Sequence, residues 1–161
     1  MDTLKHSYFT SYYANYRNVP KDFLCVGISR IIPNYFKDSQ FENFIWSKDN
    51  FMAPSLELLF DKKNGKISEE EYSKRYIIEL TSRVNLYTGF SDLSEWFQAF
   101  DNNLSQNQTE WKSVVFMCYE KPTEFCHRHI LRKVLNNYYH ILIEELNLVK
   151  EGKVKTTLSL F

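Results

Sequence analysis

The chain has 161 residues, of which 43% are hydrophobic and 17% aromatic. A chain of this length buries roughly 70% of its unfolded surface, so we expect one domain over residues 1–161 that needs no disulfide or metal to hold its core. Twenty Lys and Arg balance twenty Asp and Glu, and this zero net charge counts against extended nucleic-acid binding, which depends on neutralising phosphates.

The three cysteines, Cys25, Cys118 and Cys126, are odd in number and follow no disulfide spacing. This predicts reduced thiols in an intracellular protein. The first residues, MDTLKHSYFTSYY, do not have the pattern of a signal peptide, and no apolar run approaches the roughly 18 residues of a membrane span. We therefore expect a cytoplasmic protein with no membrane partner.

The first half of the chain predicts two strands and a short helix. SYFTSYYAN (7–15) is β-prone and precedes a turn, and FLCVGISRIIP (23–33) is an apolar run typical of a buried strand. Residues 34–66 have a weak pattern, with a short helix expected from Ser55 to Phe60.

Two amphipathic helices are expected next. In ISEEEYSKRYIIELTSRV (67–84), Ser68 and Glu71 have the spacing of a capping box. Its inward stripe should be Tyr72, Tyr76, Ile77 and Leu80. SDLSEWFQAFDNNL (91–104) should be capped by Ser91 or Asp92 and should bury Leu93, Trp96, Phe97 and Phe100.

The last third predicts a strand, a long helix and a second strand. SVVFMCYE (113–120) is a continuous apolar run, typical of a central strand. EFCHRHILRKVLNNYYHILIEEL (124–146) repeats apolar residues at helical spacing, and KVKTTLSLF (153–161) alternates as a half-buried strand does. Strands separated by helices indicate an α/β fold with a mostly parallel sheet.

The segment CYEKPTEFCHRHIL (118–131) joins the predicted central strand to the long helix. Ligands of parallel sheets bind beyond the carboxyl ends of the strands, and this segment lies there. Cys126, His127 and Arg128 should open the helix, capped by Thr123 or Glu124. The free amides of a helix N-terminus attract anions and lower the pKa of nearby thiols, which favours an anion pocket or a nucleophile.

Three other interpretations of the segment stay open. Cys126 and Arg132 have the C-x5-R spacing of cysteine phosphatases, but HRHIL between them is helical in pattern and lacks glycine. Zinc could use cysteine and histidine donors, but C-x7-C-H-x-H is no common zinc spacing. Finally, the segment could be purely structural, with Glu120 and Arg128 paired to lock the loop.

CYEKPTEFCHRHIL after an apolar strand resembles the signature of the bacterial and phage family named domain of unknown function 488. In that family a strand ends in C-x-E-K and C-H-R opens the next helix. Three further blocks are similar in the same order: YFTSYYANYRNVPKDFLCVGISRIIPNYF, MAPSLELL and KISEEEYSKRY. The likeness covers about residues 7–140, and the tail after Asn136 does not align.

The resemblance implies a three-layer Rossmann-like α/β fold with signature residues gathered at one end of the sheet. Carried over by motif, the residues are Thr10, Ser11, Tyr12, Ser29, Arg30, Pro54, Ser55, Tyr72, Tyr76, Cys118, Glu120, Cys126, His127 and Arg128. Tyr72 and Tyr76 also suit the helix core, which from the residues alone is the stronger interpretation. The family's activity is not settled, so no cofactor is implied.

We therefore expect a nucleotide-like or other phosphate-bearing small ligand at the strand ends. Arg30 and Arg128 would clamp the anion, Glu120 would act as general acid or base, and Cys126 would be a low-pKa thiol. A non-catalytic protein that sequesters a nucleotide signal or binds a protein partner, such as a phage inhibitor of host defence, is the alternative. A base-processing nucleic-acid enzyme is a weaker one, and the C-terminal edge strand would allow a homodimer.

Overall fold

The computed structural model describes residues 3–37, 41–106, 110–148 and 154–157, with only the backbone described for 147, 148 and 154–157. The strands are β1 Ser7–Tyr12, β2 Phe23–Gly27, β3 Phe44–Ile45, β4 Ser113–Cys118, β5 Ile143–Leu148 and β6 Val154–Thr157. The helices are α1 Asn34–Lys37, α2 Leu56–Lys63, α3 Glu69–Thr88, α4 Leu93–Gln106 and α5 His127–Tyr138, with a 3-10 helix at Tyr13–Asn18.

The strands form one sheet in the order β3-β2-β4-β1-β5-β6. All neighbouring pairs are parallel except β5 and β6, which are antiparallel. The α/β class and the mostly parallel sheet are confirmed, with the architecture of a Rossmann-like three-layer fold. The predicted C-terminal strand is present at 154–157, and the rest of that prediction, 158–161, lies outside the described residues. The homodimer through this edge stays a prediction.

β4 is central because its side chains are apolar on both faces, and all six residues are buried. Val114, Phe116 and Cys118 pack into the larger core, which α3, α4 and α5 cover. Val115 and Met117 pack into the smaller core on the other face, beside the 3-10 helix and α1. Alternation of side chains along the strand thus supplies both cores, as expected of a parallel strand covered on both sides.

The two amphipathic helices are confirmed, with small differences. Ser68 Oγ accepts the amide of Glu71 at 3.1 Å and caps α3, which buries Tyr72, Tyr76, Leu80 and Val84, while Ile77 is only partly buried. Asp92 rather than Ser91 caps α4, since its Oδ1 accepts the amide of Glu95 at 2.9 Å. Within the described part of the chain, no helix combines the length and apolar character needed to cross a bilayer.

The helix opens at Cys126–His127 as predicted, but its extension to 146 is wrong. α5 ends at Tyr138, His140 adopts a left-handed φ of 56°, and Ile143 begins β5. The Asn136 side chain accepts the amide of Ile143 at 2.8 Å and donates to its carbonyl at 3.2 Å, which holds the strand against the helix end. Apolar residues at helical spacing continue through this turn because Ile141 and Ile143 are buried by the sheet instead.

Two further boundaries differ from the sequence prediction. The strand expected over 23–33 ends at Gly27, and residues 28–33 form a loop beside the carboxyl end of β4. The N-cap of α5 is Cys126, not Thr123 or Glu124, and its side chain makes no capping hydrogen bond. The thiol is therefore left free to interact with other groups at the helix start.

Candidate functional site

A pocket of about 440 Å³ lies at the carboxyl ends of β2 and β4, which are parallel neighbours. Its floor consists of the residues that end β4 and begin α5, including Cys118 and Cys126. Its sides come from the loop after β2 and from α2 and α3. The lining residues are Ser29, Arg30, Ile31, Pro54, Leu59, Lys62, Lys63, Tyr72, Cys118, Tyr119, Glu120, Phe125, Cys126 and His127.

Two thiols converge on the imidazole of His127 at the floor of the pocket. Nδ1 of His127 lies 3.6 Å from Cys118 Sγ and 3.9 Å from Cys126 Sγ. Nε2 lies 2.8 Å from the carbonyl oxygen of Ile28. A carbonyl can only accept, so Nε2 carries a proton and Nδ1 is the nitrogen that exchanges a proton with the thiols.

This arrangement favours a thiolate at Cys126. Burial opposes it, but a hydrogen bond from Cys118 and the positive charges of His127 and Arg128 together hold the pKa of Cys126 well below its usual range. The position of Cys126 at the N-cap of α5 adds the positive end of a helix dipole. Burial and the adjacent Cys126 raise the pKa of Cys118, so Cys118 holds its proton more readily than Cys126 does.

His127 and Glu120 are two further groups at the floor that can bind or release a proton. Burial lowers the pKa of His127, but the Cys126 thiolate, the Ile28 carbonyl and Glu120 outweigh it and the net shift is upward. Burial and the Cys126 thiolate raise the pKa of Glu120, whose Oε2 lies 3.4 Å from Cys118 Sγ. The opposite pKa shifts of Cys126 and His127 therefore favour a thiolate–imidazolium pair, beside a carboxyl group whose raised pKa favours its protonated form.

Arg128 does not line the pocket, and its expected role as an exposed anion clamp does not agree with its position. The side chain has 0% exposure. Nη2 and Nε donate to Glu145 Oε1 at 2.9 and 3.2 Å, and Nη1 donates to the backbone oxygen of Glu120 at 2.6 Å. The predicted Glu120–Arg128 contact exists through this backbone oxygen, while the carboxylate partner is Glu145.

The three residues expected from the first block lie on or after β1 and outside the pocket lining. Thr10 and Ser11 have no exposed surface, and their hydroxyls bond to Glu145 and Asn15 respectively. Tyr12 is half-buried at the end of β1. Thr10 thus supports the carboxylate that holds Arg128, so its contribution to the site is indirect.

The second and third blocks place Ser29, Arg30 and Pro54 in the pocket wall. Arg30 donates from Nε and Nη2 to the carbonyl of Pro54 at 3.2 and 2.9 Å and from Nη1 to that of Lys48 at 3.3 Å. Carbonyls leave its charge uncompensated, and Arg30 makes no ion pair with any described residue. Ser55 instead caps α2, where its hydroxyl accepts the amide of Leu58 at 3.1 Å.

Tyr76 is a core residue, as the residues alone predict. It is fully buried and donates its hydroxyl to the carbonyl of Met52 at 2.6 Å. Tyr72 is also buried but reaches the pocket wall, where its ring meets that of Phe125 edge-on at 5.2 Å. Helix α3 therefore packs mainly into the core and contributes one side chain, Tyr72, to the pocket wall.

The sequence prediction missed six pocket residues. Two are the lysines in the last turn of α2, and the others are apolar or aromatic: Lys62, Lys63, Ile31, Leu59, Tyr119 and Phe125. Lys62 Nζ lies 5.5 Å from the centre of the Phe125 ring. Neither lysine is in an ion pair with the part of the chain that the structure describes. The sequence shows two adjacent lysines, Lys62 and Lys63, before the turn at Gly65, but only the fold shows that α2 lies beside the segment that connects β4 to α5.

The floor could also hold a metal ion. Donor atoms of Cys118, Cys126 and His127 all lie within 4.8 Å of one another. The hydrogen bond from His127 Nε2 to Ile28 is the kind of contact that orients histidine ligands, and thiolate and imidazole donors suit zinc. The spacing argument against zinc included His129, but His129 does not belong to this donor group, which consists of Cys118, Cys126 and His127.

The chain was compared with known proteins in three ways. Residues 8–139 match the family model described as the active DUF488-N3 subclade. Neither a search of curated proteins nor a search of solved structures found a match. Because the family model covers more than half of the chain and includes every residue of the pocket, the chain belongs to the family of domain of unknown function 488.

Proposed function

We propose that the pocket binds a nucleotide-like, phosphate-bearing small molecule and that Cys126 acts on it as a nucleophile. The observation that carries the proposal is the contact between the Cys126 thiol and the His127 imidazole at the floor of a pocket with a cationic rim. The free thiols suit the reducing cytoplasm, where we place this activity.

Recognition of the ligand rests on charge and aromatic surface. Arg30, Lys62 and Lys63 supply three cations at the rim, and none of them is neutralised by a carboxylate of the described chain. Guanidinium and ammonium groups bind phosphate oxygens through charge-assisted hydrogen bonds. Tyr119 and Phe125 add ring faces on which a base can stack. Zero net charge is compatible with such a small basic rim.

The chemistry begins with attack of the Cys126 thiolate on an electrophilic carbon of the bound ligand. The S–C bond forms as the bond from carbon to the leaving group breaks, and Glu120 donates its proton to the leaving group. Water, deprotonated by the resulting Glu120 carboxylate, then displaces the thiolate and completes the cycle. Arg128 positions Glu120 through its backbone oxygen and keeps positive charge near Cys126.

Native mass spectrometry of freshly purified protein tests the binding. We expect a nucleotide-sized mass excess that disappears on denaturation, and its occupancy should fall at least about tenfold in Lys62→Met/Lys63→Met, because each charged hydrogen bond contributes about 1.5–3 kcal/mol. Lys66→Met is the matched control, since Lys66 is exposed near the same helix but does not line the pocket. A wild-type protein without excess, or an unchanged excess in the double variant, would contradict the proposal.

A sequestering protein is the second candidate, and the 3% exposure of Cys126 favours it because a nucleophile must reach its substrate. Incubating the recovered ligand with the wild-type protein and with Cys126→Ala separates the two. Conversion by the wild type alone indicates catalysis. Return of unchanged ligand from both indicates sequestration, and in that case the binding part of the proposal stands without the chemistry.

Replacing Cys118 with alanine should raise the pKa of Cys126. The substitution removes the S–H group that donates to the thiolate, so ionising Cys126 becomes more costly. Titration of thiolate absorbance near 240 nm in the Cys25→Ala background would measure the change. An unchanged pKa would show that Cys118 does not stabilise the Cys126 thiolate. The charges of His127 and Arg128 would then account for the lowered pKa of Cys126.

A further inference from the structure

A second groove, of about 730 Å³, runs between α3 and α5 on the side of Cys126 away from the rim lysines. Phe125 and Cys126 line both this groove and the pocket, so the two spaces adjoin at these residues. Beyond that point the groove is walled by His129 and Arg132 from α5 and by Ser73 and Ile77 from α3.

Arg132 lines this groove with a charge that the described chain does not neutralise. Its exposure is 5%, and none of the described carboxylates lies within ion-pair distance of it. Nη2 lies 3.3 Å from His129 Nδ1, while Nε of Arg132 and Nε2 of His129 are buried without a hydrogen-bond partner among the described residues. Buried donors are normally satisfied, so such a pair needs an explanation.

The nearest buried carboxylate is already in use. Glu145 accepts from two nitrogens of Arg128 and from the hydroxyl of Thr10. Glu69, Glu70 and Glu124 border the groove, but they are exposed, and Glu70 and Glu124 bond to Lys74 and to the amide of Lys121. The cluster of Arg128, Arg132 and Glu145 therefore carries one buried positive charge in excess, which an anion would compensate.

We propose that Arg132, with His129, binds a phosphate monoester group of the ligand at this groove. Cys126 at the N-cap of α5, His129 and Arg132 follow at three-residue steps, and all three line the groove. Six residues correspond to about 9 Å along a helix, so the phosphate would lie about that far from the Cys126 end. The proposal rests on the proposed function, and it adds a second anionic group to the ligand, on the opposite side of the thiol from Arg30.

Arg132→Met tests the assignment with inorganic phosphate as the probe, measured by titration calorimetry. The variant keeps the aliphatic stem and removes the charge. We expect its phosphate affinity to fall at least tenfold, both alone and in the Lys62→Met/Lys63→Met background, whose pocket rim is already depleted of cations. We also expect an unchanged or higher Tm, because the guanidinium removed has no carboxylate partner among the described residues and its one hydrogen bond is to His129. His129→Gln should weaken phosphate binding in the same assay.

Three results would overturn the proposal. The first is failure of the wild-type protein to bind inorganic phosphate, and the second is binding by Arg132→Met that is as tight as that of the wild type. The third is loss of the fold in Arg132→Met, since this would mean that the guanidinium is a structural partner. The proposed function is tested separately by the nucleotide-sized mass excess and its dependence on Lys62 and Lys63. If phosphate binding is lost only when Lys62 and Lys63 are replaced, phosphate binds in the pocket and the assignment of the groove is rejected.

Discussion

Cys126→Ala should abolish rapid alkylation of the native protein by iodoacetamide. The thiolate is the reactive form, and the pKa of Cys126 is held well below the usual range by Cys118, His127 and Arg128. Cys25 has no exposed surface, and burial raises its pKa to about 12, so it should stay unmodified. Mass spectrometry of the modified protein would locate the label.

The direction of the pKa shift of Cys126 predicts how the alkylation rate depends on pH. A depressed pKa means that the thiolate persists as pH falls, so the alkylation rate should be flat near neutral pH and decline only in more acidic solution. An ordinary thiol, with a pKa near 8.5, loses about tenfold in rate for each pH unit below that value. The alkylation rate of Cys126 should therefore fall less steeply than that of an ordinary thiol between pH 8 and pH 6. A rate that falls in proportion from pH 8 would contradict a thiolate–imidazolium pair.

The same substitution should remove any turnover of the bound ligand while leaving the fold intact. Cys126 is small and packs at the start of α5, so its replacement by alanine leaves a gap of only one sulfur atom. Cys25→Ala is the matched control, because Cys25 is buried in the smaller core and touches neither His127 nor the pocket. Turnover that survives in Cys126→Ala would reject the nucleophile.

Arg128→Met should lower the free energy of unfolding by about 3–5 kcal/mol, because it leaves Glu145 as a buried carboxylate without its cation. Glu145→Gln should also destabilise the protein, since it leaves the Arg128 charge unpaired. Urea unfolding of both single variants and of Arg128→Met/Glu145→Gln would measure the effect. The double variant should lose less than the sum of the single losses.

Arg132→Met is the matched control for Arg128→Met, since both substitutions remove a guanidinium from α5 and, among the described residues, only Arg128 has a carboxylate partner. A stable Arg128→Met variant that has lost ligand binding would restore the original expectation of an anion clamp. A strongly destabilised one supports the role that the contacts indicate, in which Arg128 joins α5 to β5 and holds the Glu120 backbone.

The extent of the sequence prediction followed the strength of the local signals. β4 was predictable because six consecutive apolar or small residues suit a strand buried on both faces, and α3 because Ser68 and Glu71 mark its start. The end of α5 was not, since residues 139–146 keep an apolar pattern that fits either a helix or a buried strand. The partner that decides between them, β1, is more than 130 residues away in the chain.

The sequence by itself determined the α/β class, the family resemblance and the segment in which the thiols, His127 and Glu120 gather, because these depend on residues close together in the chain. Only the tertiary structure decided which side chains are free to act. Arg128 is sequestered by Glu145, whereas Arg132 has no carboxylate partner among the described residues, and Lys62 and Lys63 reach the pocket from α2. Charge compensation in a buried site depends on distances between elements that no local pattern encodes.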